Sequence, residues 1–325
     1  MRKLAIAGIS LAVVLLTPCA LTAQIKLPPE TRNAALRYWM AFADLQDPPS
    51  DKTMQDLLEK TAAGKSAWDE AKLGPILDRN IQAIQEMQRA TALPECDWGL
   101  EYSRGARASV AQLTRARVLA RLNTLYGMRM MAKGQTQDAV EAWLDGVRFS
   151  RHLAQGGTLI FKLVARAALL SDFQALTSAA EGGHLQFAQK TKIATAIRSL
   201  PADVFKWSEA LGLEEAAFES AVQEMRQAKY PAAVYEDLNG EPPPAKFSLP
   251  PERDVVAFRS VIVQAQSALH LPSGEARERL EQLQEQVARF GDFFQPAVPS
   301  LVKINDVRAE VEASRAKLLL ALTNS

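Results

Sequence analysis

The longest stretch of helical periodicity lies in the middle of the chain, over residues 113–176. Apolar residues recur there every three or four positions, as on one face of an α-helix. Gly134 and then Gly156-Gly157 interrupt the pattern, so the stretch predicts three successive helices, the third with Thr158 as its N-cap. Apolar side chains on two faces of these helices indicate that they are buried between neighbours.

Shorter segments of the same periodicity fill the rest of the chain, and Gly and Pro separate them. Abundant Ala, Leu, Gln, Glu and Arg, with few β-branched runs, favour an all-α fold. We expect an irregular array of antiparallel helical hairpins, in which residues 24–325 form a single elongated α-helical domain. Gly74-Pro75 is expected to interrupt a helix, and the prolines of residues 229–251 predict a loop without helix.

One hairpin of the central stretch has small residues where its two helices would touch, a glycine at the turn and an aromatic residue on the second helix. The residues that carry this pattern are Gly127, Gly134, Ala139, Trp143 and Gly146. The pattern resembles a single tetratricopeptide-type unit of about 34 residues, although Asn123 stands where that family commonly has Trp. The resemblance implies a fold that is tetratricopeptide-like in part, and arrays of that family bind peptides or partner proteins.

The N-terminus has the three parts of a secretory signal peptide. Met1-Arg2-Lys3 is basic, residues 4–16 are apolar, and residues 18–23 contain a helix-breaking proline and small residues. We expect residues 1–23 to be removed and the protein to be exported, periplasmic or extracellular. The apolar run is shorter than the ~20 residues of a spanning helix, so no membrane span is expected after cleavage. The alternatives are an uncleaved N-terminal anchor or lipidation at Cys19, where the preceding Pro18 fits poorly.

Charge and cysteine content narrow the function further. The formal net charge is +1, which gives no global electrostatic case for binding nucleic acid or an anionic membrane. Loss of Cys19 with the leader would leave Cys96 alone, so no intramolecular disulfide is expected. The fold must then be held by its core.

The least ordinary loop spans residues 93–102, where Pro and Gly bracket Cys96 and Trp98 among acidic residues. Its Cys-x-Trp-Gly element, followed by an Arg-rich helix, resembles a pattern in uncharacterised exported all-helical proteins of bacteria. That resemblance implies an all-helical fold, and it does not imply any particular activity.

Patterns for catalysis or metal binding are weak. Glu181 and His184 have the Glu-x-x-His spacing of di-iron bundles, but two glycines between them break the helix that the motif needs, which favours a surface turn. Cys96 has no histidine close in sequence to act as its base. Neither a glycine-rich phosphate loop nor a nucleophile elbow is present, and we expect no cofactor and no metal.

Arginines form the one basic cluster, at positions 104, 107, 115, 117 and 121. On successive helical turns they could line a groove for an anionic ligand or an acidic peptide, or they could form a solvated face that pairs with acids. We therefore predict a non-catalytic scaffold of the cell envelope that binds a protein or peptide partner. The candidate binding residues are Trp98, Tyr102, Arg107, Arg117, Arg121 and Arg151.

Two other functions remain open from the sequence. Glu95, Asp97 and Glu101 could supply the carboxylate pair of an exported hydrolase. A membrane-tethered structural protein is the weaker of the two.

Overall fold

A computed structural model describes residues 31–107, 110–244, 247–291, 293–294 and 300–324; the expected signal peptide lies outside these ranges. The described residues form twelve α-helices and a short 3₁₀ turn at Tyr102–Arg107. Their one β-bridge joins Asn33 to Glu95, so the all-α prediction is confirmed. The helices are α1 (Ala34–Asp44), α2 (Lys52–Ala62), α3 (Glu70–Thr91), α4 (Gln112–Ala132), α5 (Thr136–Ala154), α6 (Leu159–Glu181), α7 (Phe187–Arg198), α8 (Trp207–Gln227), α9 (Pro231–Asn239), α10 (Glu252–Ala268), α11 (Ser273–Arg289) and α12 (Leu301–Asn324).

Helices α4, α5 and α6 form the central layer. Helix α5 packs along both α4 and α6, and α4 also touches α6 directly. Helices α1, α2 and α3 contact α4, while α12 and α8 contact α6. The expectation that the three helices of residues 113–176 are buried between neighbours is confirmed, because fully buried side chains such as Leu122, Phe149 and Leu176 come from all three.

Two glycines set the close approach within this layer. A Cβ atom at Gly127 of α4 would lie 2.3 Å from Nε1 of Trp143 on α5. A Cβ atom at Gly146 of α5 would lie 2.0 Å from a carboxyl oxygen of Asp172 on α6. A side chain larger than hydrogen at either position would therefore have to displace the side chain of Trp143 or Asp172.

Long basic side chains from distant segments bind the carbonyl groups at several helix ends. Arg115 donates to Leu45 O at the end of α1 (2.8 Å), and Arg315 donates to Leu200 O beyond α7 (2.8 Å). The buried Lys162 donates to the carbonyls of Phe205 and Lys206 just before α8. The last carbonyls of a helix have no partner within it, so the arginine contacts beyond α1 and α7 supply donors where the helices themselves supply none.

Prolines were predicted to stop helices at two places where they do not. Pro75 lies inside α3, and Gly74 before it lacks the Cβ atom that would clash with the proline ring. Pro231 is the first residue of α9, where its missing N–H group costs no helical hydrogen bond. The prediction that residues 229–251 contain no helix is therefore wrong for Pro231–Asn239, while the later prolines lie outside α9.

The N-terminus of α6 differs from expectation in its cap. Thr158 occupies the N-cap position, but its hydroxyl makes no capping bond and is buried without a partner. Glu214 of α8 accepts the Leu159 N–H instead, at 2.9 Å. The acceptor at this helix start is therefore supplied by tertiary contact, which local sequence does not reveal.

We expect Gly146→Ala to lower the free energy of unfolding by about 1–3 kcal/mol, because the added methyl group overpacks the contact with Asp172. Gly274→Ala in α11 is the matched control, since nothing lies within 4 Å of its Cβ position. That control should be neutral or stabilising by up to about 1 kcal/mol. Urea unfolding of both variants measures the difference, and equal stabilities for the two would contradict the close packing described here.

Candidate functional site

The loop that precedes the 3₁₀ turn buries two of its side chains, Cys96 and Trp98, in the core. Trp98 is 5% exposed, and its indole N–H donates to the carbonyl of His152 on α5 at 2.8 Å. Its ring stacks on Tyr38 and Phe42 of α1, with centroid distances of 5.5 and 6.1 Å. Trp98 thus joins α1 to α5, and its ring is engaged by the protein itself.

Beside Trp98, a buried tyrosine and a histidine share a hydrogen bond. Tyr38 Oη lies 2.8 Å from His152 Nδ1. Burial raises the pKa of Tyr38 well above its ordinary value, and burial, followed by the charge of Arg151, lowers the pKa of His152 to about 4. At neutral pH the phenol therefore donates to a neutral imidazole.

In the same loop the thiol is buried, and each carboxylate has a partner within the chain. Cys96 is a buried free cysteine, and burial, with a smaller effect of Asp97, raises its pKa to about 12. Glu95 pairs with Arg32, the Asp97 carboxylate accepts the Gly99 N–H, and Glu101 pairs with Arg104. These contacts hold the turn. A hydrolase built on these carboxylates stays a prediction.

The six predicted binding residues lie in separate surroundings. Tyr102 is 43% exposed, and its hydroxyl donates to Gly156 O at 2.7 Å. Arg107 forms ion pairs with Glu224 of α8 and Asp237 of α9. Arg151 is exposed beside a small cleft between α5 and α7. Trp98 lies in the core. Of the six residues, only Arg117 and Arg121 line the same cleft.

Arg117 and Arg121 line a cleft of about 490 Å³ between α2, α4 and α6, called here the cationic cleft. They lie one turn apart on α4 and face small side chains of α6. The end of α2 supplies the third wall. The residues of the cleft are Glu59, Ala62 and Ala63 at α2, Thr114, Arg117, Val118, Ala120, Arg121 and Thr124 on α4, and Val164, Ala167, Ala168 and Ser171 on α6.

The charge of this cleft is positive and largely unneutralised. Within the described part of the chain, the guanidinium groups of Arg117 and Arg121 make no hydrogen bond and no ion pair. Burial lowers the pKa of the Arg121 guanidinium, the charge of Glu59 opposes that effect, and Arg117 adds to it. Two guanidinium groups face one carboxylate, so the cleft favours an anion.

A buried acid is hydrogen-bonded to Thr124, one of the residues that line the cationic cleft. Asp172 is 1% exposed, and its Oδ1 atom lies 2.7 Å from the hydroxyl of Thr124. Burial raises the pKa of Asp172 well above its ordinary value. The Thr124 hydroxyl donates to this carboxyl group, and its oxygen also lies 3.2 Å from Ala120 O.

Sequence reasoning found the two arginines but missed the rest of this cleft. Glu59 is far from Arg121 in the chain, and no local pattern pairs α2 with α4. The one signal in the sequence was the set of small residues Ala167, Ala168 and Ser171. They share one face of the predicted helix, and small side chains on one face leave space beside it.

Side chains that could bind a metal ion lie apart from one another in the described ranges. No group of three or more His, Cys, Asp or Glu side chains there could hold a metal ion. His184 is exposed and follows the Gly182-Gly183 turn after α6.

Comparison of the chain with protein-family models, curated proteins and solved structures finds no match. Among the described residues, no helix is both long and apolar enough to cross a membrane. A functional assignment therefore rests on the chain's own residues.

We expect acid to destabilise the fold through His152. Because the pKa of His152 is about 4 in the folded protein and about 6.5 when unfolded, only the unfolded state gains this proton between those values. Stability is fully present above pH 6.5 and falls as the pH drops towards 4, by up to about 3 kcal/mol.

Urea unfolding between pH 7 and 4, compared with His152→Gln, isolates this contribution, since Gln retains an acceptor for Tyr38 and does not titrate. Asp172 contributes with the opposite sign but is common to both proteins. Parallel pH profiles for the two proteins would show that His152 titrates normally.

Proposed function

We propose that this chain is an exported, non-catalytic protein of the cell envelope that binds an acidic segment of a partner protein in the cationic cleft. The observation that carries the proposal is the pair Arg117 and Arg121, which line an open cleft without ion-pair partners. By contrast, the buried Arg129 and the half-buried Arg226 are paired with carboxylates of the chain itself. A cation pair left unpaired between small side chains is suited to a carboxylate from outside.

The dimensions of the cleft favour a peptide segment. Its α4 wall extends from Thr114 to Thr124, a length of about 15 Å. That length accommodates about four or five residues of extended chain. The alanines of α6 leave room for a peptide backbone to approach the two guanidinium groups, which bind carboxylates through two parallel hydrogen bonds.

One feature of the sequence supports the proposed location, and another supports the proposed kind of ligand. The N-terminal residues 1–23 have the basic, apolar and small-residue parts of a signal peptide. The near-neutral net charge favours a local anion site over a general affinity for nucleic acid.

We expect the double substitution Arg117→Gln and Arg121→Gln to weaken binding of a fluorescently labelled hexaglutamate peptide at least about tenfold. Each lost charge-assisted hydrogen bond contributes about 1.5–3 kcal/mol, and 1.4 kcal/mol corresponds to a factor of ten. Fluorescence anisotropy measures the affinity. Arg151→Gln is the matched control, because Arg151 is an exposed arginine outside the cleft.

Glu59→Gln should have the opposite effect in the same measurement. It removes the one negative charge of the cleft, so the peptide should bind about two- to fivefold more tightly, as for an exposed pair contributing below about 1 kcal/mol. Glu285→Gln on α11 serves as its control. The proposal fails if hexaglutamate binds no better than hexaglutamine, or if the arginine variants retain full affinity; phosphate competing as strongly as the peptide would indicate a small-anion site instead.

A further inference from the structure

A second cleft lies beside α4 and α6, further towards their C-termini. It measures about 500 Å³ and is called here the apolar cleft. Its walls include Met128 and Met131 of α4, Ala175 and Ala179 of α6, and Trp68 from the connection between α2 and α3. Trp143 of α5, which is 2% exposed, also borders it.

Both clefts belong to the same pair of helices. On α4 the lining residues continue at helical spacing from Arg121 and Thr124 to Met128 and Met131. On α6 they continue in the same order, from Ser171 to Ala175. Residues three and four apart share one face of a helix, so the two clefts lie along one face of α4 and one face of α6.

The connection between α2 and α3 borders both clefts. Ala63 lines the cationic cleft, and Trp68 lines the apolar cleft. Between them, Gly64 adopts a left-handed backbone conformation beside Ser178, which also lines the apolar cleft. One short segment of chain thus connects the walls of the two sites.

The chemistry of the apolar cleft is unlike that of its neighbour. No Asp, Glu, Lys or Arg side chain lines it. The indole N–H of Trp68 donates to Glu70 at 2.7 Å, which fixes one edge of the ring and leaves its apolar surface beside the cleft. Methionine side chains adapt to the shape of an inserted group, and an aromatic wall favours an aromatic or long aliphatic side chain.

The distance between the two clefts predicts how far apart two side chains of a bound peptide would be. Arg121 and Met131 are ten residues apart on α4, a distance of about 15 Å along the helix. An extended peptide covers that distance in four or five residues.

We infer that the apolar cleft receives an aromatic or long aliphatic side chain of the same acidic segment that binds the cationic cleft. The partner then presents a carboxylate and an apolar side chain four or five residues apart. This inference rests on the proposed function and adds the class of sequence that the site selects.

Three labelled peptides test the inference by fluorescence anisotropy. The first has two glutamates and a polar spacer, the second adds phenylalanine four residues after the glutamates, and the third places the phenylalanine directly beside them. We expect the second peptide to bind about tenfold more tightly than the first, since it buries one additional aromatic side chain. The third should bind like the first.

Met131→Gln should abolish the gain from phenylalanine and leave the affinity of the first peptide unchanged. Met40→Gln is the matched control, because Met40 is an exposed methionine of α1 outside both clefts. Ala132→Trp fills the apolar cleft from an exposed position and repeats the test if Met131→Gln lowers the thermal stability.

The outcomes separate the two proposals. If the first peptide binds through Arg117 and Arg121 but phenylalanine adds nothing, the motif is overturned and the proposed function stands. A gain that survives both Met131→Gln and Ala132→Trp also overturns the motif. If none of the peptides binds, the proposed function itself is overturned.

Discussion

The close approach of α4, α5 and α6 at Gly127 and Gly146 is the constraint on which the rest of the fold depends. It places the indole of Trp143 against the backbone of α4 and the carboxyl group of Asp172 against the backbone of α5. Asp172 in turn accepts a hydrogen bond from Thr124, which lines the cationic cleft. The packing of the central layer therefore positions Thr124 and helps to determine the shape of the cleft.

Several arginines outside the cleft are bound by groups of the chain itself. Arg308 and Arg315 of α12 bind backbone carbonyls near the ends of other helices, at Leu271 and Leu200 among others. Arg107 and Arg129 are held by pairs of carboxylates. In a fold whose single described cysteine is a free thiol, these long polar contacts fix how helices meet. Arg117 and Arg121 have no such contact among the described residues and line the same cleft, which is why we propose that they bind an external group.

The sequence was sufficient to predict the helical class and the buried central layer, because apolar periodicity reports directly on burial. It failed where a tertiary contact overrides a local rule. Pro75 is accommodated by Gly74, and Glu214 supplies the acceptor expected from Thr158. Trp98 illustrates the same limit, since an unusual loop residue can bind a partner or fill the core, and only its contacts with Tyr38 and Phe42 distinguish the two. The cleft itself depends on how α2 and α6 are placed beside α4, which local patterns do not encode.

Nitrogen-15 NMR of the arginine side chains tests the central claim most directly, because it observes each guanidinium group in the intact protein. The Nε–Hε signals are assigned by single Arg→Gln substitutions and followed as hexaglutamate peptide is added. The account predicts saturable shifts for Arg117 and Arg121 with one common dissociation constant, and unchanged signals for Arg129 and Arg151. Shifts confined to Arg104 and Arg107 beside the Trp98 loop, or no saturable shift at any arginine, would contradict it.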